Sequence, residues 1–339
     1  MTALRDTDAA TGYGAGERGS GAGARPTPPM VLPRSLRIRV CRSISAWLIR
    51  HPFRGANRLR RWLAYLLMPR PGGPVVVGTT MGCSLRVDPV LNRGLERELY
   101  YQGTYEAGTL YVLSSVLRPG DVFLDVGANI GLVSLVASRL VGSQGRVYAF
   151  EPVPATIALL EQNITLNDAR NVCVEATALG AVDETRPIYE HLDVNRGAAS
   201  LVPVGEAQSS GAVPVTTLDV FVRKASLERL VRAIKIDVEG WEAEVVVGGR
   251  QTLADPAAPV LILEYSTKVP LADGTHSDVY DLLRSLNDYR LFCLKRGKEA
   301  ISRLREIHRR EQLPRDDNLI CLRPVHIQEA RVRGLFGGD

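Results

Sequence analysis

The sequence predicts an α/β protein built around a mostly parallel β-sheet. From Pro119 onward, short apolar strands alternate with amphipathic helices of about ten to fifteen residues, which is the pattern of parallel βαβ units. A glycine-containing loop follows the first of these strands, and an acidic residue follows the second. Doubly wound sheets bind their ligands at such strand ends.

The same pattern places the individual elements. The expected strands cover 122–126, 146–150, 171–176, 233–238 and 259–264, and the expected helices lie near 131–140, 154–166, 241–253 and 276–287. Two late strands at 290–295 and 318–323 are joined by an Arg-rich stretch without room for a compact crossover, so we expect one to run antiparallel. The connection 180–232 is long and irregular, as in a substrate-specific insertion.

The sequence predicts five segments. Residues 1–30 form a disordered tail, and residues 31–72 form an Arg-rich helical segment. Residues 75–118 supply leading strands and a helix that cap the site, residues 119–325 form a domain built on the sheet, and residues 326–339 form a C-terminal tail. The first segment is rich in Gly and Pro and offers too little apolar surface to offset ordering. The second indicates two helices split around Pro52. The third indicates two strands around Gly82, then a helix near 109–117.

Composition narrows the class of protein. The chain has 339 residues, of which 45% are hydrophobic and 23% charged, as in soluble globular proteins. Its five cysteines are odd in number and never form a C-x-x-C pair, and its five histidines form no cluster, which argues against a disulfide scaffold and a histidine metal site. Without a signal peptide or a spanning segment, the chain is expected to be cytoplasmic.

Charge is distributed unevenly along the chain. Residues 31–70 contain ten arginines and no acid, so residues 71–339 carry a net charge of −5 although the whole chain carries +5. Three interpretations of this arm stay open. It can anchor the protein at the inner, anionic membrane surface, it can fold onto the acidic body with Arg37 paired to a carboxylate, or it can bind nucleic acid.

The most informative motif is DVGANIG, residues 125–131, between a predicted strand and a predicted helix. Gly127 and Gly131 allow a tight turn, and the helix start beyond them presents free N–H groups to a ligand. Glu151 follows the next strand, where a carboxylate can accept hydrogen bonds from ribose hydroxyls. The loop lacks the G-x-G-x-x-G of dinucleotide sites. Asp125 would repel pyrophosphate but suits the cationic end of S-adenosylmethionine, which favours a methyl donor over NAD.

A second cluster lies in IKIDVEGWEAEVVVGG, residues 234–249. Strand alternation puts Lys235, Asp237 and Glu239 on one face, and the next strand ends in Glu264. Charged groups on a central strand are costly unless they are paired or functional, so we expect an active-site rim here. The alternative is that these residues have structural roles: Lys235 forms an ion pair, and Glu239 caps the helix that follows.

The motifs DVGANIG, FEP and KIDVEG, in this order and spacing, resemble the FkbM-type family of S-adenosylmethionine-dependent methyltransferases over about 75–325. The resemblance implies a class I methyltransferase, Rossmann-like fold, with a seven-stranded, mostly parallel sheet and an antiparallel final strand. It also implies O-methylation of a hydroxyl on a natural product, sugar or glycolipid.

The resemblance also implies which residues hold the cofactor. The loop contacts would come from Asp125, Gly127, Ala128, Asn129 and Gly131, the ribose contact from Glu151, and the adenine contacts from Ala178 and Leu179. Tyr105 and Glu106 would close over the methionine end. Two departures stand out. Ala181 replaces an acid often found after ALG, leaving Asp183 as the nearest candidate, and Trp241 occupies a position that is more often small.

Methyl transfer requires an oriented acceptor and benefits from a general base. Asp237 is the first candidate for the base, Glu239 or Glu264 the next, and His191 a more remote one. Asp237 and Glu239 are also potential ligands of a divalent metal, but two carboxylates do not establish a site. The acceptor is expected to be a small molecule, a sugar or a lipid. Two alternatives stay open. One is a nucleic-acid methyltransferase or binding protein that uses the arm, although the arm lacks a recognised RNA-binding motif. The other is an NAD-dependent enzyme.

Overall fold

The computed structural model of the chain describes residues 30–31, 36–51, 53, 55–189, 199–202, 209–267 and 279–337. The predicted disorder of residues 1–30 falls outside this part of the chain, except for Met30, and so does His191.

Fourteen strands lie within the described residues. In chain order they are β1 Met30–Val31, β2 Val75–Gly78, β3 Ser84–Val87, β4 Val122–Val126, β5 Arg146–Phe150, β6 Val172–Glu175, β7 Ala178–Leu179, β8 Glu184–Tyr189, β9 Ser209–Thr216, β10 Val231–Ile236, β11 Val260–Ser266, β12 Arg290–Leu294, β13 Leu304–Ile307 and β14 Asp316–Leu322.

The helices of the described residues alternate with these strands in the second half of the chain. They are α1 Leu36–Arg50, α2 Ala56–Leu67, α3 Leu95–Gln102, α4 Ala107–Val116, α5 Leu132–Val141, α6 Pro154–Leu166, α7 Leu218–Lys224, α8 Glu242–Gly248, α9 Arg250–Ala254, α10 Val279–Leu286, α11 Pro324–Ile327 and α12 Ala330–Arg333.

The central sheet has eight strands in the order β13-β12-β14-β11-β10-β4-β5-β6. The five strands from β11 to β6 are parallel, and β14 runs antiparallel to both of its neighbours. This confirms the predicted α/β class with an antiparallel final strand. The sequence predicts seven strands; the eighth is the edge strand β13, in which the charged residues Arg305 and Glu306 lie between two buried side chains.

Both faces of this sheet are covered, which explains why its strands are continuously apolar. On one face, Leu124 and Ile234 pack in a cluster that includes Trp241, directly before α8. On the other face, Phe123 and Ala233 pack with residues of α4. The carboxyl ends of β4, β5, β10 and β11 are therefore held between two helical layers at one edge of the sheet.

Five regions differ from the expected elements. Strand β10 ends at Ile236, two residues early, and α3 forms where a loop is expected. The described parts of the insertion 180–232 contain β8 and β9, which form a three-stranded sheet with the preceding β7 in the order β7-β9-β8. The predicted C-terminal tail contains α12, where Val332 is fully buried. The long helix expected at 241–253 is divided at Gly249.

The Arg-rich segment contains two helices, α1 and α2, that pack on the rest of the chain. Their buried side chains Ile38, Cys41, Ala64 and Met68 belong to a cluster with β2 and β3. Arg37, in contrast, is exposed. No helix in the described part of the chain has the length and apolar character needed to cross a bilayer.

Candidate functional site

A cavity with an empty volume of about 1140 Å³ opens at the carboxyl ends of β4, β5, β10 and β11. Its lining includes every residue predicted for the site except Gly131. The residues are brought there from the loops after four neighbouring strands, from the start of α4 and from β7. This is the edge at which doubly wound sheets bind ligands.

The loop after β4 is shaped by left-handed backbone conformations. Gly127 has φ 83° and Asn129 has φ 50°, and the amides of Gly127 and Ala128 both donate to Phe150 O, at 3.1 and 2.9 Å. A Cβ atom on Gly127 would lie only 1.9 Å from Asp237 O. The glycine is therefore required for the loop to pass close to the end of β10.

Glu151 is buried and holds the loop from the end of β5. Its Oε2 accepts from the amide of Asn129 at 2.9 Å, and its Oε1 accepts from the amide of Val153 at 3.1 Å. The side-chain oxygen of Asn129 is buried and has no partner among the described residues. An unpaired buried acceptor is costly, so this oxygen is suited to a ligand donor.

Gly131 does not line the cavity, contrary to the prediction. With φ 93°, it lies beneath the loop, and a Cβ atom there would come within 2.5 Å of Leu160 Cδ1. Its role in the structure is to allow the start of α5 to approach α6.

Asp125, at the end of β4, is buried and accepts a hydrogen bond of 2.5 Å from Ser134 Oγ. Burial raises the pKa of Asp125, although the nearby charge of Lys235 and the Ser134 hydrogen bond oppose this change. The carboxyl group of Asp125 therefore lines the cavity in a fixed orientation.

Three carboxyl groups meet two ammonium groups on the other side of the cavity. Glu106, Asp237 and Glu264 bring their oxygens within 4.8 Å of one another. Lys235 Nζ lies 2.5 Å from Asp237 Oδ2, and Lys298 Nζ lies 2.9 Å from Glu106 Oε1 and 2.7 Å from Glu264 Oε1. We call these five residues the carboxylate–lysine cluster.

The cluster balances its charge by keeping one carboxyl protonated. Burial works to raise the pKa of Asp237, but the positive charges of Lys235 and Lys298 outweigh it and set the pKa at about 2. The charge of Asp237, followed by burial, raises the pKa of Glu264 to about 9. At neutral pH, Glu264 therefore keeps its proton and hydrogen-bonds to ionised Asp237.

Glu239 lies beyond the end of β10, so strand alternation does not determine its position. It has φ 52° and lines the cavity. Burial and the charge of Asp237 raise the pKa of Glu239 to about 7. No side chain caps the start of α8, contrary to the structural alternative for Glu239. Glu242 Oε1 accepts from the amides of Val238 and Gly240, in the segment before the helix.

Sequence reasoning missed the residues that hold the cluster from the far side. Lys298 comes from the turn after β12, and its carbonyl accepts from the Gly108 amide at 2.8 Å. Asn318 Nδ2 donates to Glu106 Oε2 at 2.9 Å and to Thr109 Oγ1 at 2.8 Å. Both residues are about 200 positions from Glu106, and no spacing signal in the sequence connects them to it.

The other end of the cavity lies against β7, at Ala178 and Leu179. Trp241 forms part of this wall, and its buried Nε1 has no partner within the described residues. The Arg186 guanidinium lies 4.3 Å from the centre of the Trp241 ring. Asp183 does not line the cavity; its Oδ1 accepts from Thr216 Oγ1 at 2.6 Å.

Two described parts of the insertion complete the cavity wall. Ile188 lies in β8, and residues 199–201 follow the part of the insertion outside the described residues. Ser200 Oγ donates to Glu239 O at 2.8 Å. The insertion is therefore tied to the segment that carries the candidate base.

The residues present do not fit a divalent metal ion. Lysine ammonium groups contact an oxygen on each of the three carboxyl groups that converge, and nearby carboxylates raise the pKa of both lysines, against the effect of burial. A metal ion would have to displace two cations that are already paired. The residues do fit S-adenosylmethionine. Asn129 Oδ1 is an unpaired acceptor and Trp241 Nε1 is an unpaired donor. Both residues line a cavity that combines apolar side chains with carboxyl groups.

Part of this chain, including most of the cavity lining, is similar in sequence to known methyltransferases. The sequence model of the methyltransferase FkbM domain matches residues 125–291. Methyltransferase sdnD of Sordaria araneosa is 30% identical over a match that covers 38% of this chain and 61% of that protein. The 31-O-demethyl-FK506 methyltransferase FkbM of Streptomyces tacrolimicus is 53% identical over 14% of this chain and 18% of that protein. The chain spans about three fifths of the length of the first curated relatives that it matches.

Solved structures with similar folds include fibrillarin of Aeropyrum pernix with bound S-adenosyl-L-methionine, at 14% identity and a TM-score of 0.35, covering 75% of this chain and 84% of that one. An rRNA methylase of Streptococcus thermophilus has 13% identity and a TM-score of 0.36, and the match covers 63% of this chain and 93% of that one. The family match confirms the predicted resemblance to FkbM-type methyltransferases. Over residues 125–291, just under half of its length, this chain is similar to the methyltransferase FkbM domain family.

Proposed function

We propose that this protein transfers a methyl group from S-adenosylmethionine to a hydroxyl of a natural product, sugar or glycolipid. The observation that carries the proposal is that one cavity joins the loop after β4 to the carboxylate–lysine cluster. The loop supplies a cofactor site, and the cluster supplies ionised and protonated carboxyl groups for an acceptor hydroxyl.

On the cofactor side, the buried carboxyl of Glu151 is suited to accept from ribose hydroxyls while it continues to orient the Asn129 amide. Asp125 offers a buried carboxyl group to the amino group of the cofactor. Ala178, Leu179 and Trp241 form the surface on which adenine would rest. When bound, S-adenosylmethionine supplies an electrophilic methyl group.

On the acceptor side, the chain has to orient a hydroxyl and receive its proton. Orientation contributes about 7–11 kcal/mol in well-placed reactions, whereas a general base contributes about 10²–10⁴-fold in rate. Asp237 is ionised across the physiological range, and it would accept a hydrogen bond from the hydroxyl. Glu239, with a pKa of about 7, is better matched to take up the proton near neutral pH. Glu264 is protonated there, so it would act as a hydrogen-bond donor.

The acceptor class is supported by relatives rather than by a motif. The Streptomyces tacrolimicus relative is a 31-O-demethyl-FK506 methyltransferase, so the substrate in its name is a natural product. Ile188 and residues 199–201 of the insertion line the same cavity, so the insertion would select the acceptor.

The test is to measure S-adenosylmethionine binding by isothermal titration, and methyl transfer with tritiated cofactor and a panel of hydroxylated acceptors. Glu151→Ala should weaken binding at least tenfold. Glu175→Ala is the matched control, because Glu175 ends the neighbouring strand β6 and lies outside the cavity lining. If wild-type protein binds NAD and not S-adenosylmethionine, or if both variants bind equally well, the proposal is wrong.

A further inference from the structure

The Arg-rich segment presents an apolar stripe on α2 that stays exposed in the described part of the chain. Leu59, Trp62 and Leu66 follow one another at spacings of three and four residues, which places them on one side of the helix. Trp62 is 61% exposed and Leu66 is 58% exposed. The opposite side of α2 is buried through Ala64. The helix thus packs on the body through its Ala64 side, and the stripe on the other side stays exposed to solvent.

Helix α1 carries a second stripe of the same kind. Leu36, Val40 and Trp47 share one side of the helix at spacings of four and seven residues, and all three are exposed. The buried side of α1 is fixed to the body by a hydrogen bond of 2.9 Å from Ser45 Oγ to Gln102 Oε1. Together we call Leu36, Val40, Trp47, Leu59, Trp62 and Leu66 the arm surface.

The arm surface lies in a positively charged segment, because residues 31–70 contain ten arginines and no Asp or Glu. The exposed arginines of this segment within the described residues are Arg37, Arg39, Arg50, Arg58, Arg61 and Arg70. One of them, Arg61, pairs with Glu98 of α3 at 3.1 Å. Arg37, a candidate for pairing with a carboxylate of the body, is exposed and has no ion pair within the described residues. The arm is therefore free to attract an anionic partner.

We propose that the arm surface docks on an anionic lipid bilayer. Tryptophan and leucine side chains beside arginine match the boundary between acyl chains and headgroups, where apolar burial and charge attraction act together. A nucleic acid would use the arginines for phosphate contacts but would leave aliphatic side chains such as Leu36, Val40 and Leu66 unused.

The arm surface is connected to the cavity through α3. This helix contacts the arm through Arg61 and Glu98, and through the Tyr65 and Tyr101 rings, whose centres lie 4.7 Å apart. Leu95, the first residue of α3, lines the cavity. Docking would therefore bring the site to a lipid surface, and if the proposed function holds, a lipid-borne acceptor would be accessible there.

The test is co-sedimentation of the full chain with vesicles of phosphatidylcholine alone or with 30% phosphatidylserine added. Binding to the mixed vesicles should exceed binding to the neutral ones by at least roughly tenfold at 50 mM NaCl, and should fall at 500 mM because salt screens the attraction. S-adenosylmethionine binding is measured on the same samples. Failure of docking can then be distinguished from failure of the proposed cofactor site.

Two pairs of variants separate apolar from charge contributions. Trp62→Ala with Leu66→Ala should abolish most vesicle binding, whereas Leu230→Ala, at an equally exposed leucine outside the arm, should not. Arg39→Glu with Arg58→Glu should also abolish it, whereas Arg250→Glu should not. Circular dichroism checks that each variant is folded.

Three results would overturn the docking surface. The first is wild-type protein that stays in the supernatant with phosphatidylserine vesicles at 50 mM NaCl. The second is vesicle binding that the arm variants leave unchanged. The third is binding of RNA at 150 mM NaCl that depends on Arg39 and Arg58 but not on Trp62, without vesicle binding; this would assign the arm to nucleic acid.

Discussion

The Nζ atom of Lys298 lies 2.9 Å from Oε1 of Glu106, which joins the turn after β12 to the start of α4. The same ammonium contacts Glu264, so one lysine from late in the chain compensates two buried carboxyl groups of the cavity. Glu106 itself has φ 46°, a conformation that non-glycine residues rarely adopt. The ion pair helps to hold it there.

Lys298→Ala should destabilise the fold because it leaves a buried carboxylate without its partner. Breaking one partner of a buried pair costs about 3–5 kcal/mol, which urea unfolding of the full chain would measure. Lys295→Ala is the matched control, at an exposed lysine of the same turn. If the two variants unfold at the same urea concentration, Lys298 does not compensate the cluster.

The pH profile of turnover should distinguish the two candidate bases. If Glu239 receives the proton, turnover should rise with pH around 7, because Glu239 loses its own proton there, and Glu239→Gln should remove this inflection. Asp237→Asn should lower turnover by about 10²-fold or more at every pH. A profile that stays flat between pH 5 and 9 in the wild type would argue against Glu239 and favour Asp237, which is ionised throughout that range.

Glu264 should make the protein less stable as the pH rises. Its pKa of about 9 in the folded state is above the value of about 4.3 for an unfolded glutamate, so the folded chain binds one more proton between these two values. From this group alone, the free energy of unfolding should fall as the pH rises across that window. The stabilisation is complete below the lower pKa and is lost as the pH passes through 9.

Glu264→Gln tests this linkage because the amide cannot release a proton but still offers hydrogen bonds. Urea unfolding at pH 5.5 and 8 should show a smaller stability difference between the two pH values in the variant than in the wild type. An unchanged difference would show that Glu264 is ionised in the folded protein.

The structure also changes what should be expected of the cofactor loop. Gly127→Val would remove the glycine, but its Cβ atom would lie 1.9 Å from Asp237 O, so it should displace the end of β10 and destabilise the fold. A loss of cofactor binding in this variant would therefore not by itself report on a contact between Gly127 and the cofactor. Asn129→Ala is the cleaner test, because it removes the unpaired Oδ1. It should weaken S-adenosylmethionine binding several-fold and lower the melting temperature only slightly, because alanine adopts the left-handed φ of residue 129 less readily than asparagine. Titration and thermal unfolding check the two effects.

The sequence predicts the central sheet and most of the cavity lining because these features depend on local patterns. The loop after β4 and the acid after β5 each follow an apolar strand, and parallel strands bring such ends to one edge. Lys298 and Asn318 could not be predicted in this way, because they reach Glu106 through contacts between distant parts of the chain. The position of Glu239 depends on a left-handed φ after Ile236, which the period of a strand does not encode.

Trp241→Phe should weaken cofactor binding without changing the shape of the wall. Trp241 Nε1 lies 3.1 Å from where a Cβ atom of Gly180 would be, so the ring packs closely on β7, and phenylalanine retains most of this contact. What it removes is the unpaired Nε1 donor of a residue that forms part of the proposed adenine surface. A lost hydrogen bond of about 1 kcal/mol corresponds to roughly fivefold in affinity, measurable by isothermal titration with S-adenosylmethionine. Trp62→Phe, on the exposed arm, is the matched control and should bind like the wild type. If Trp241→Phe also binds with wild-type affinity, the indole donor does not contact the cofactor and Trp241 serves only as a packing surface.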